Sequence, residues 1–192
     1  MLRKRGKKSR LGVLLVIVLV IIAFAINSST SVLKVAYPLK YKEYVYKYSA
    51  QHKVDPYLVF SIIKAESGFD PKATSHKKAR GLMQISEITA NWGAKTLKIE
   101  KFSYDKLYDP ETNISIGCWY INNLMREFGD NTQVVLAAYN GGSGNVSEWL
   151  KDTRYSKSGS TLDKIPFKET ENYVKKVQNY YSVYKKIYEK KE

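Results

Sequence analysis

Residues 55–71 read Asp55-Pro56-Tyr57-Leu58-Val59-Phe60-Ser61-Ile62-Ile63-Lys64-Ala65-Glu66-Ser67-Gly68-Phe69-Asp70-Pro71. Asp55 offers an N-cap oxygen, and Pro56 fits the first helical position, where no amide hydrogen is needed. A mostly apolar run follows and stops at Ser67-Gly68, a usual helix ending. The stretch predicts a helix over 56–66 whose last residue is a carboxylic acid. A carboxylate there faces the negative pole of the helix dipole, which disfavours its charge and raises its proton affinity. A partly buried carboxyl kept protonated near neutral pH suits a general acid. Glutamate is mostly a surface residue, so position alone would leave Glu66 a solvated helix end.

Outward from this stretch the pattern stays helical. Residues 41–52 form one helical segment. Asp109-Pro110 starts another in the way Asp55-Pro56 does, with Ile114, Cys118, Ile121, Leu124, Met125 and Phe128 on one face and Gly129 at its end. Residues 131–139 make a short helix stopped by Gly141-Gly142, and a final helix runs over about 169–186. Between them, 143–165 is a loop-like mixture with a short helical piece around 146–150. No convincing period-2 alternation and no internal repeat is present. The fold class is all-α.

The N-terminus has a different character. Arg3, Lys4, Arg5, Lys7, Lys8 and Arg10 precede Leu11-Gly-Val-Leu-Leu-Val-Ile-Val-Leu-Val-Ile-Ile-Ala-Phe-Ala-Ile26, and the uncharged stretch continues to Leu33. That length reaches the roughly 20 residues that span a bilayer. Residues 1–10 are expected in the cytoplasm, 11–33 as a transmembrane anchor, and 34–39 as a stalk before an exported domain over 40–192. A cleaved signal peptide is the rival reading, because Ala23-Phe24-Ala25 fits an A-x-A site. Either way the domain is extracytoplasmic: held at the membrane by one span, or secreted.

The net charge is +14, of which the six N-terminal cations leave +8 on the remainder. A basic domain concentrates near an anionic polymer, and export argues for a cell wall or membrane surface over nucleic acid. The single Cys118 forms no internal disulfide, and His52 and His76 lack metal-ligand spacing. No metal and no cofactor is expected. Sixteen tyrosines bring apolar bodies with hydroxyls, suited to a groove for a polar polymer.

Four motifs change the odds for Glu66. They are Lys64-Ala-Glu-Ser-Gly-Phe-Asp70, Ala79-Arg-Gly-Leu-Met-Gln-Ile85, Ala137-Ala-Tyr-Asn-Gly-Gly142 and Glu169-Thr-Glu-Asn-Tyr-Val-Lys-Lys-Val177. In this order, with Asp109-Pro-Glu-Thr-Asn-Ile114 and Gly117-Cys-Trp-Tyr120 between them, the sequence closely resembles the lytic transglycosylase family with a goose-lysozyme-like catalytic domain. The likeness runs from about Lys40 to Tyr184. It implies a lysozyme-like helical domain with a glycan-binding groove, and peptidoglycan glycan strands as partner. Lys78 departs from the glycine usual there, Ser86-Glu87 from Met-Pro, and Ser143 from Pro. These changes bear on loop shape and groove preference rather than on the acid.

By the same resemblance Glu66 is the single catalytic acid/base and Ser67 supports it. Met83 and Gln84 would line the glycan groove, Tyr139 and Asn140 would hold the substrate, and Tyr173 would steady the Glu66 carboxyl. The reaction implied cleaves between N-acetylmuramic acid and N-acetylglucosamine and leaves a 1,6-anhydromuramyl end, in the service of cell-wall remodelling. Two alternatives stand. A lysozyme-type muramidase would hydrolyse the same bond with a second carboxylate, for which Glu87, Asp105 and Glu169 are candidates. A non-catalytic wall-binding protein would keep the fold without the activity.

Overall fold

The computed structural model describes residues 31–189 together with Leu15, Val16 and Val18. The segment expected to cross the membrane, 11–33, lies largely outside the described residues. Among the described residues no helix is long and apolar enough to cross a membrane. The chain divides into two compact units, one ending at Pro38 and one beginning at Leu39. In the first, residues 31–36 are helical.

The second unit is built from helices α1 (Lys42–His52), α2 (Pro56–Glu66), α3 (Glu87–Thr96), α4 (Pro110–Phe128), α5 (Thr132–Gly141), α6 (Ser143–Lys151) and α7 (Lys168–Tyr188), with a 3-10 turn at Tyr104–Tyr108 before α4. Among the described residues β structure is limited to isolated bridges, Thr74 with Arg80 and Arg80 with Ile85. The Asp-Pro starts behave as expected: the Asp55 carboxylate accepts from Tyr57 N, and Asp109 accepts from Thr112 N. α3 escapes the sequence pattern because Thr89, Asn91, Trp92 and Gly93 are poor helix formers. Ser86 caps it through Thr89 N. α6 is longer than the piece expected around 146–150.

α4 is the centre of the unit. Its residues 113–119 are buried on every face, while Met125 and Phe128, expected on its apolar stripe, are only half-buried. α1 and α3 pack on α4, and α2 lies along α7, which also receives α5. Phe60, Ile62 and Ile63 of α2 are wholly buried, with Tyr184 stacked on Phe60 at 5.7 Å. The end of α2 is therefore anchored in the core, and the site is built around that end.

Candidate active site

α2 is fastened to α7 at both ends. While one Asp55 oxygen caps the helix, the other accepts the Tyr181 hydroxyl at 2.6 Å. At the far end the Lys176 ammonium donates to Ala65 O at 3.0 Å, one residue before Glu66. The chain then turns sharply, with Gly68 and Phe69 both in the left-handed region. The Ser67 hydroxyl donates to Leu82 O at 2.8 Å, joining the helix end to the Gly81-Leu82-Met83-Gln84 turn.

That turn is held from α4. Asn113 is wholly buried; its amide donates to Arg80 O and Leu107 O, both at 2.9 Å, and its carbonyl accepts from Met83 N at 2.9 Å. Gly81 is left-handed, and a Cβ there would sit 2.1 Å from Leu107 O, so only glycine fits. Gln84 is left-handed as well, and its amide donates to Gly81 O at 2.9 Å and Ala73 O at 3.1 Å. From α5 the Tyr139 hydroxyl donates to Met83 O at 2.8 Å.

These elements enclose a cleft of about 300 Å³ whose walls include Glu66, Ser75, His76, Lys77, Gln84, Tyr139, Asn140 and Glu169. A second cleft of about 410 Å³ shares Gln84, Ser86, Tyr139 and Asn140 with it and continues past Ile88, Thr89, Tyr120 and Gly142. Together they form one groove with Glu66 towards one end.

Burial pushes the Glu66 carboxyl up to about 7. Glu169 acts in the same direction, while the Tyr173 hydroxyl and the Lys176 ammonium pull it down. Tyr173 is buried and near enough to act on Glu66, yet its hydroxyl falls short of ordinary hydrogen-bond geometry with any group. The site thus holds a carboxylic acid that carries a proton close to neutrality, with a buried hydroxyl beside it. Such a group can donate a proton and take one back.

Of the residues singled out from sequence, Glu66, Gln84, Tyr139 and Asn140 meet in the groove, and Tyr173 approaches Glu66 from α7. Ser67 stands behind the acid, bonded to backbone. Met83 does not line the groove. Its side chain is wholly buried against Gly117, where a Cβ would lie 2.2 Å from the Met83 sulfur, and it meets the site only through its backbone carbonyl. Among the three carboxylates considered for hydrolysis, Glu169 lines the cleft, 72% exposed and 3.8 Å from Lys77. Asp105 is tied to Arg80 at 2.5 Å, and Glu87 lines neither cleft. His76, Lys77 and Tyr120 were missed from sequence, because only folding brings their loop and helix to the groove. Burial drives the Cys118 thiol up to about 12, so it is no nucleophile.

The model of the transglycosylase SLT domain family matches residues 43–161. The chain belongs to that family. The soluble lytic murein transglycosylase of Escherichia coli K12 is 36% identical to this SLT chain over 151 residues, covering 78% of it and 23% of the relative. The membrane-bound lytic murein transglycosylase C of Sodalis glossinidius is 36% identical over 116 residues, 56% of this chain and 32% of that one. The crystal structure of the 70 kDa soluble lytic transglycosylase from E. coli superposes with a TM-score of 0.75 at 35% identity, covering 83% of this chain and 26% of its own. The SLT chain therefore has the all-helical, lysozyme-like fold, and it spans about a quarter of the length of the soluble relative it matches.

Proposed function

We propose that this SLT-domain protein is a peptidoglycan lytic transglycosylase with Glu66 as its one acid/base. The observation that carries the reading is a half-buried glutamate at the end of a core helix, open to a groove, where burial pushes its carboxyl up to about 7. Glu66 protonates the oxygen linking N-acetylmuramic acid to N-acetylglucosamine, and that bond breaks with the electron pair leaving on the protonated oxygen. As a carboxylate, Glu66 then takes the proton of the muramic 6-hydroxyl, whose oxygen bonds to the anomeric carbon. The proton count closes on Glu66 and no water is consumed. Gln84, Tyr139 and Asn140 hold the strand, while Ser67 and Tyr173 steady the acid.

Hydrolysis is the second reading, favoured by the presence of Glu169 in the same cleft. Its carboxylate is highly exposed and paired with Lys77, which suits a solvated charge better than a water-activating base. Digestion of purified peptidoglycan followed by mass spectrometry of the muropeptides separates the two. Products 18 mass units below the hydrated sugar, the 1,6-anhydro form, are expected; reducing muramic ends throughout would overturn the transglycosylase reading. The basic, apolar N-terminus supports a further part of the proposal, that residues 11–33 hold the domain at the outer face of the cell membrane, or direct its secretion if cleaved after Ala25. The membrane-bound relative is consistent with the former.

A further inference from the structure

The groove runs past the acid and out along α3. Ile88 lines the second cleft yet is 84% exposed, and Trp92, one helical turn on, is 52% exposed. Residues four apart share a helix face, so the two side chains make one apolar strip. Exposing them together costs solvation, and large apolar groups on a surface next to a cleft mark a place where something binds. The Trp92 end of the strip is braced from below. The Trp92 ring stands edge-on to Trp119 at 4.7 Å and 81°, and Trp119 is itself buried. Gly93 allows that packing: a Cβ there would come within 3.0 Å of the Trp119 ring.

We propose that Ile88 and Trp92 form a shelf that extends the groove and carries a sugar ring of the glycan strand beyond those bound over Glu66. A pyranose has a face of C–H groups with slight positive charge, and the flat, electron-rich face of an indole is its complement. An indole already braced by Trp119 loses little freedom on contact. The polar rim needed to orient the sugar is at hand in Thr89 and Tyr120, which line the same cleft. The inference rests on the glycan-cleaving reading above and adds the strand length at which binding matures. Sugars on the shelf lie outside the bond being cut, so the shelf favours long strands over short fragments.

Binding is read without turnover in the full chain carrying Glu66→Gln, in detergent. The probes are peptide-free glycan strands of two and of six or more sugars, with tryptophan fluorescence and calorimetry as readouts. A shift of tryptophan emission with the long strand, absent when Trp92→Phe is added, is expected. Trp92→Ala should weaken the long strand about five- to tenfold and the disaccharide much less, with Trp92→Phe recovering most of the loss. Equal long-strand affinity in Trp92→Ala and Trp92→Phe, both folded by circular dichroism, overturns the shelf while leaving the proposed activity intact. No glycan binding in any form overturns both. Emission that shifts with phosphatidylglycerol vesicles and not with glycan makes the strip a membrane contact and likewise overturns the proposal.

Discussion

The Tyr139 hydroxyl donates to the backbone carbonyl of Met83 at 2.8 Å. This bond ties α5 to the turn that carries Gln84, so the two walls of the groove share one fastening. Tyr139→Phe keeps the ring contact with Tyr120 but leaves the buried Met83 carbonyl unpaired. A loss of about 1–2 kcal/mol in stability is expected, read by urea denaturation, with a drop in turnover from a looser groove. Wild-type stability in the variant would show that the bond fastens nothing.

Glu66 has its proton affinity raised on folding, and the sign of the consequence follows. Below the ordinary carboxylate range both folded and unfolded chains hold the proton, and it contributes nothing. Between the ordinary value of 4.5 and about 7 the folded state keeps the proton that the unfolded state loses, so stability falls as pH rises and stays lowered above 7. Glu66→Gln should abolish activity and raise stability at pH 8 by about 1–3 kcal/mol, with no gain at pH 4. Thermal melts at the two pH values decide it.

Activity itself should fall as pH climbs through about 7, because a general acid works only while protonated. Glu169→Gln removes a charge that raises the Glu66 pKa and should move that alkaline limb to lower pH. Lys176→Met removes a charge that lowers it and should move the limb to higher pH. Both displacements should shrink in high salt, since both groups are exposed. Coincident limbs in all three proteins at low salt would contradict the assignment of Glu66 as the titrating acid.

Asn113 satisfies three backbone groups with one wholly buried side chain. Asn113→Ala should destabilise the protein by about 3–5 kcal/mol and disorder the Gly81–Gln84 turn. Hydrogen exchange at Met83 N, whose acceptor is removed, is the local readout. Protection unchanged there would mean that another group holds the turn.

Lys78 sits at a φ of 65°, a left-handed conformation that costs an ordinary side chain about 1 kcal/mol or more. Its position is one where the resembling family commonly has glycine. Lys78→Gly should therefore be neutral to stabilising, by up to about 1 kcal/mol after the unfolded chain's gain in freedom. A loss of more than 1 kcal/mol in chemical denaturation would show that the lysine side chain supports the loop.

What could be read from sequence was what is local. The cap at Asp55, the proline at Pro56, the apolar run and the stop at Ser67-Gly68 lie within one short stretch, so α2 and its terminal Glu66 were legible. The motif order supplied the fold. Met83 was misplaced because its burial depends on Gly117 opening a space in α4, and a methionine in a groove motif reads the same in either setting. Asn113 was visible only as part of a helix start, since Arg80, Leu107 and Met83 converge on it through the fold. α3 was hidden by weak propensities that packing against α4 overrides, and with it the groove's far wall.

The fastening of α2 at both ends by α7 has a consequence for timing. Tyr181 and Lys176 hold Asp55 and Ala65, and Tyr173 comes to the acid from the same helix. During synthesis the ribosome releases Glu66 long before the residues that seat it. A nascent or prematurely terminated chain lacking α7 has the motif without its splint, and under the proposed function it should be catalytically silent. If Glu66 is the acid proposed, competence should arrive only with the last helix.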